Sequence, residues 1–171
     1  MPTQTQAMDY AGSSAPLLSE ILTKVNNAKM KDDKIKVLRD NDSVPLRQIL
    51  KGAFDPKIEW DLPEGDVPYT PNEAPEGTEH NMLAHEARTL FHYIKGGNPQ
   101  LTQNRRENMF IQLLEGLHQS EAEIIVAAKD KGLHRKYKGL SANVVREAFG
   151  WTEDYMQPEP TEILEGHEPQ F

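Results

Sequence analysis

The stretch from Thr102 to Gly132, TQNRRENMFIQLLEGLHQSEAEIIVAAKDKG, decides the fold class. Behind Thr102, a residue suited to capping a helix, Met109, Phe110, Leu113, Leu114 and Leu117 recur on one helical stripe. Ser120 to Glu123 then reads Ser-x-x-Glu, a capping box, ahead of Ile124, Ile125 and Ala128. Gly132 supplies a stop. Two helices thus follow in close succession, with no alternating apolar and polar run between them.

The same pattern extends in both directions. Toward the C-terminus, Ser141 opens a short helix with Val144, Val145 and Ala148 that closes on Phe149-Gly150-Trp151. On the other side, Thr78 caps a helix carrying Met82, Leu83, Leu90, Phe91 and Ile94, which stops at Gly96-Gly97. Further back, Leu17, Leu18, Ile21, Leu22 and Val25 fall at helical spacing, and Ile35, Val37 and Leu38 mark a second segment. A third has Ser43 as its N-cap, Pro45 in the first turn and Gly52 near its end. From Phe54 to Gly77, five prolines forbid a long helix, and Ile58, Trp60, Val67 and Tyr69 are expected to hold part of the segment on the body. The expected fold is all-α, a compact bundle of about six to seven short helices. It comprises a helical domain over 17–151 with the Pro-rich loop 54–77 inside it. A disordered leader, 1–16, and an acidic disordered tail, 152–171, are expected to flank it.

Composition narrows the function. The 171 residues are 37% hydrophobic and 27% charged, enough for one modest core. There is no cysteine, which excludes disulfides and thiolate metal sites. No apolar run approaches the ~18 residues that span a bilayer. Met1 to Ala15 lacks the order of a signal peptide, so a location inside the cell is expected.

Catalytic patterns are also missing. His85 and His92, seven apart with Glu86 between them, are ~10 Å apart along a helix axis, too far for one zinc ion. Neither a Gly-x-Ser-x-Gly elbow nor a Gly-x-x-x-x-Gly-Lys loop occurs. The expectation is a non-enzyme with no cofactor, no metal and no small-molecule substrate.

The formal charge of −8 opposes indiscriminate binding to nucleic acid, yet its distribution is uneven. Lys129, Lys131, Arg135, Lys136 and Lys138 crowd one inter-helix loop against a single acid, Asp130. Gly132 and Gly139 would let backbone approach a ligand there. The helix opened by Ser141, which carries Arg146, would offer free N–H groups to a phosphate. These six cations form the candidate surface for nucleic acid or a partner.

The segment Leu46 to Trp60, a helix running into Phe54-Asp55-Pro56 and then Ile58-Glu59-Trp60, resembles the early part of phage ATP-dependent DNA ligases. Asn108–Leu117, Ala122–Gly132 and Val144–Trp151 follow the same plan. The whole chain is also similar to an uncharacterised protein family of T4-like phages, notably cyanophages. The ligase resemblance implies an N-terminal, duplex-gripping helical region without the catalytic core. Lys129-Asp130-Lys131-Gly132 departs from the ligase Lys-x-Asp-Gly, so ligation is not implied. The Pro-rich loop and acidic tail are further departures.

Together these readings predict a non-catalytic phage accessory protein of DNA metabolism, binding duplex DNA or a replication or transcription protein. The alternative is a virion structural or interaction protein, or a modulator of a host protein. The host cytoplasm during infection, or the virion, is the expected location, with no membrane partner.

Overall fold

Apolar stripes at helical spacing become helices throughout the chain. The computed structural model describes residues 16–75 and 80–157. Residues 1–15 of the expected leader, Thr78, and 158–171 of the expected tail lie outside them. In chain order the elements are α1 (Leu18–Asn27), α2 (Lys31–Asp40), α3 (Val44–Phe54) and α4 (Leu83–Glu86). A 3-10 helix (Ala87–Tyr93), α5 (Gln103–Gly116), α6 (Gln119–Lys129), α7 (Leu133–Lys136) and α8 (Ala142–Phe149) follow. Among the described residues the only β-type pairings are isolated bridges. The fold is all-α.

Three of the expected caps are present. Ser43 Oγ accepts from Leu46 N at 3.2 Å, Thr102 Oγ1 from Arg105 N at 3.3 Å, and Ser141 Oγ from Val144 N at 3.2 Å. Each satisfies one of the donors a helix N-terminus leaves unpaired. Helix α6 differs from its reading. It starts at Gln119 with His118 as N-cap, and Ser120 sits inside the first turn, donating its N–H to His118 Nδ1 at 3.1 Å. The expected box partner, Glu123, pairs instead with Lys136 Nζ at 2.8 Å.

The helix expected between Met82 and Ile94 is also divided. One α turn passes into a 3-10 helix, and Ala87, Leu90 and Tyr93 are the residues it buries. A spacing of three aligns them in a helix of three residues per turn, and the bulky Phe91 is left half-exposed.

Helix α1 packs on α2 and α6, α2 on α8, and α3 on α6. Leu22, Leu38, Leu46, Leu50 and Ile125 are fully buried on these helices, as is Leu114 on α5. Burying each such side chain contributes roughly 1.5–3 kcal/mol relative to leaving it in water. Arg39 of α2 donates to the Ala148 and Glu147 carbonyls at 2.9 and 3.0 Å, satisfying the C-terminus of α8.

The body does not stop at Trp151. Residues 152–157, expected in the tail, fold back, with Tyr155 buried and the Asp154 carbonyl accepting from Lys57 Nζ at 2.8 Å. The Arg146 guanidinium lies 5.6 Å from the Tyr155 ring centre, which draws the turn onto α8. Among the described residues no helix is long and apolar enough to cross a membrane.

Candidate functional site

The basic stretch after α6 does not form one cationic patch. Lys129 points inward, its side chain 1% exposed. Its ammonium donates to the carbonyls of Pro63 (2.7 Å) and Gly65 (2.9 Å) and to Asp130 Oδ1 (2.8 Å). Lys131 is half-buried and donates to the carbonyls of Gly52 and Asp55, at 2.8 and 2.9 Å, where α3 ends. A cation there complements the negative end of the helix dipole. Lys131 itself adopts φ 56, the left-handed backbone that ends α6, with Gly132 N donating to the Ala127 carbonyl at 2.8 Å. Burial pushes its ammonium below the ordinary lysine range, against the opposing pull of Asp55 and Glu59.

The other four cations differ in setting. Lys136 pairs with Glu123 and lies 5.6 Å from the Tyr137 ring centre. Arg135 is exposed and lines a groove with Asp66, Glu123 and Asp130. Arg146, on α8, donates to Asn143 and stacks on Tyr155. Lys138 is exposed.

Gly139 does permit a close approach, but to the chain itself. Its N–H donates to Asn26 Oδ1 at 2.8 Å, and a Cβ there would stand 3.2 Å from the Asn26 backbone. The reading of both glycines as room for a ligand therefore changes. At Gly132 the corresponding space is occupied by the Arg135 guanidinium.

What Lys129 holds is the Pro-rich segment, residues 56–75, which crosses α5 and α6 as a strap. Gly65 N donates to Asp130 Oδ2 at 3.1 Å, and Thr70 N to Glu115 Oε2 at 2.9 Å. At the start of the strap, Trp60 Nε1 donates to the Gly52 carbonyl at 3.0 Å, and Asp61 N to the Tyr93 carbonyl at 2.7 Å. Toward its end, His80 Nε2 lies 2.8 Å from the Ala74 carbonyl. Aromatic and apolar contacts from Ile58, Trp60, Val67 and Tyr69 were expected, and Trp60, Val67 and Tyr69 pack in or against the core. The polar clamp was not, because it is built from residues far apart in sequence.

Glu121 also escaped the sequence reading. It is fully buried, and its two oxygens accept from Leu18 N and Leu83 N, each at 2.9 Å. One carboxylate thereby caps both α1 and α4. A signal existed: Glu121 occupies a core-facing place in the spacing Leu117, Glu121, Ile124, Ala128. Among the described residues no three His, Asp or Glu side chains converge in a way that would hold a metal ion.

A family model matches the chain over residues 21–135. The chain belongs to DUF6433, a family of unknown function. The matched span runs from α1 through the strap to α7, so it includes the clamp formed by Glu115, Lys129 and Asp130, and Lys131 at the end of α3. It ends before Lys136, Lys138 and Arg146. No curated protein and no solved structure matches the chain.

Proposed function

We propose that this member of DUF6433 is a non-catalytic binding protein of phage DNA metabolism whose partner is another protein. The observation that carries this reading is the use of the basic stretch inside the fold. Lys129 and Lys131 are bonded to carbonyls, and Lys136 to a carboxylate. Phosphate contact by Lys129 or Lys131 would require breaking those bonds and leaving carbonyls unpaired, whereas the more exposed Lys136–Glu123 pair is a weaker obstacle. The strap that Lys129 holds is instead a preformed surface, and preformed surfaces bind partners at low ordering cost. The similarity to T4-like phage proteins supports the setting in infection.

Direct DNA binding is the second reading, favoured by one observation. Lys138 is exposed in the turn whose Gly139 meets Asn26, and exposed Lys24 and Lys29 flank Asn26 in the chain. The resemblance to the duplex-gripping region of ligases supports it as well. A pulldown of the tagged full chain from infected-host lysate, with and without nuclease, separates the two. Retention of a specific protein after nuclease treatment is the expected result. Loss of every associated protein on nuclease treatment would remove the first reading.

A further inference from the structure

Between the strap and α5 lies a cleft of about 180 Å³, walled by Leu62, Pro63, Val67, Pro68, Phe110 and Ile111. Two carboxylates, Asp66 and Glu107, complete its lining. Lys129 lines it too, but its ammonium is held by Pro63, Gly65 and Asp130, so it offers the cleft only an apolar stem. Asp66 makes no hydrogen bond or ion pair among the described residues, and Glu107 accepts only from Gln103 Nε2, at 2.9 Å. The volume is below the roughly 300–1,000 Å³ of small-molecule pockets, which suits one long side chain better than a metabolite.

Charge points to the sign of that side chain. All 19 Lys and Arg fall within the described residues, with 20 of the 27 Asp and Glu, so the described body is one charge from neutral. The strap nonetheless carries Glu59, Asp61, Glu64, Asp66 and Glu73 against Lys57 alone, and among the described residues only Glu59 and Asp61 are ion-paired, with Lys95 and Arg106. An adjoining groove shares Asp66 and Val67 with the cleft and continues past Tyr69 to Arg135, its other carboxylates, Glu123 and Asp130, being paired with Lys136 and Lys129. The negative charge left without an ion-pair partner beside the apolar slot, among the described residues, is therefore that of Asp66 and Glu107.

We propose that the strap cleft is the docking site for a basic segment of a partner protein, with one Arg side chain inserted between Pro68 and Phe110. The alkyl stem packs on the apolar walls and the guanidinium meets Asp66 and Glu107. This inference rests on the protein-binding reading above and names the chemistry of its partner.

Amide chemical-shift mapping of the full chain with n-butylguanidinium, an Arg side-chain analogue, tests it against neutral n-butylurea. Saturable shifts at millimolar guanidinium, confined to residues 62–68 and 107–111, are the expected result. The D66N/E107Q double variant, with an otherwise unchanged spectrum, weakens them by a factor of about ten, or about 1.4 kcal/mol. Equal shifts with n-butylurea, shifts scattered over unrelated acidic residues, or none that saturate would each overturn the proposal. The two readings fail separately. Should D66N/E107Q retain a nuclease-resistant partner undiminished, the cleft assignment falls and protein binding stands. Should nuclease strip every partner, protein binding falls whatever the small probes do.

Discussion

Glu121 shows how one residue can organise a helical body. Its carboxylate is the N-cap acceptor for both α1 and α4, two elements that begin 65 residues apart at Leu18 and Leu83. Replacement by Ala leaves both amides buried and unpaired, and a loss of about 2–4 kcal/mol is expected in urea denaturation. Burial raises the Glu121 carboxyl above its ordinary range, with the two backbone bonds pulling the other way. A raised folded-state pKa means that the contribution of this group is complete below its unfolded value. It is lost as pH rises through the raised one. Glu121→Gln should therefore flatten this acid-side slope of stability.

Tyr93 gives the matching expectation at alkaline pH. Burial, reinforced by Glu86, pushes its phenol from 10.0 up to about 12. The neutral form is the one the fold favours, so stability should hold below pH 10 and fall between there and about pH 12. Tyr93→Phe removes most of that fall, and tyrosinate absorbance recorded through the unfolding transition reads it directly. Tyr137, also raised by burial, leaves a smaller slope behind.

Among the elements, the strap depends most on distant residues. Its ordering comes from Lys129, Asp130 and Glu115 on α5 and the end of α6, together with Trp60 against Gly52. Lys129→Met should leave α5 and α6 paired, because its apolar stem is kept, while the carbonyls of Pro63 and Gly65 lose their donor. Faster amide exchange over residues 61–70, with little change in α1 to α3, is expected in a native-state hydrogen-exchange experiment. Uniform acceleration across the chain would show that the strap is no separate unit.

The helices were legible because apolar spacing and hydroxyl caps are local signals, as Ser43, Thr102 and Ser141 show. The capping box at Ser120 misled because its acids serve other elements: Glu121 reaches α1 and α4, and Glu123 reaches α7. The basic stretch was visible as a cluster, but its direction was not. A lysine run has the same sequence pattern whether it faces solvent or caps carbonyls, and only the fold brings Pro63, Gly65 and Gly52 to Lys129 and Lys131. The acidic lining of the strap cleft was equally hidden, since Asp66 and Glu107 come together only through packing.

At the scale of the whole molecule, the net charge of −8 gives a poor picture of the folded body. Seven of its negative charges fall on residues 1–15, 76–79 and 158–171, leaving the described body almost neutral. Long-range repulsion therefore does not by itself keep DNA from the Lys24, Lys29 and Lys138 side, and the engagement of Lys129 and Lys131 inside the fold becomes the deciding factor. Fluorescence anisotropy of labelled duplex DNA, titrated with micromolar full-length protein at about 50 mM salt, measures the outcome where phosphate contacts are strongest. No saturable binding is expected. Saturable binding that weakens steeply with added salt and is lost on Lys138→Glu would contradict a protein-directed function and return the basic turn to DNA.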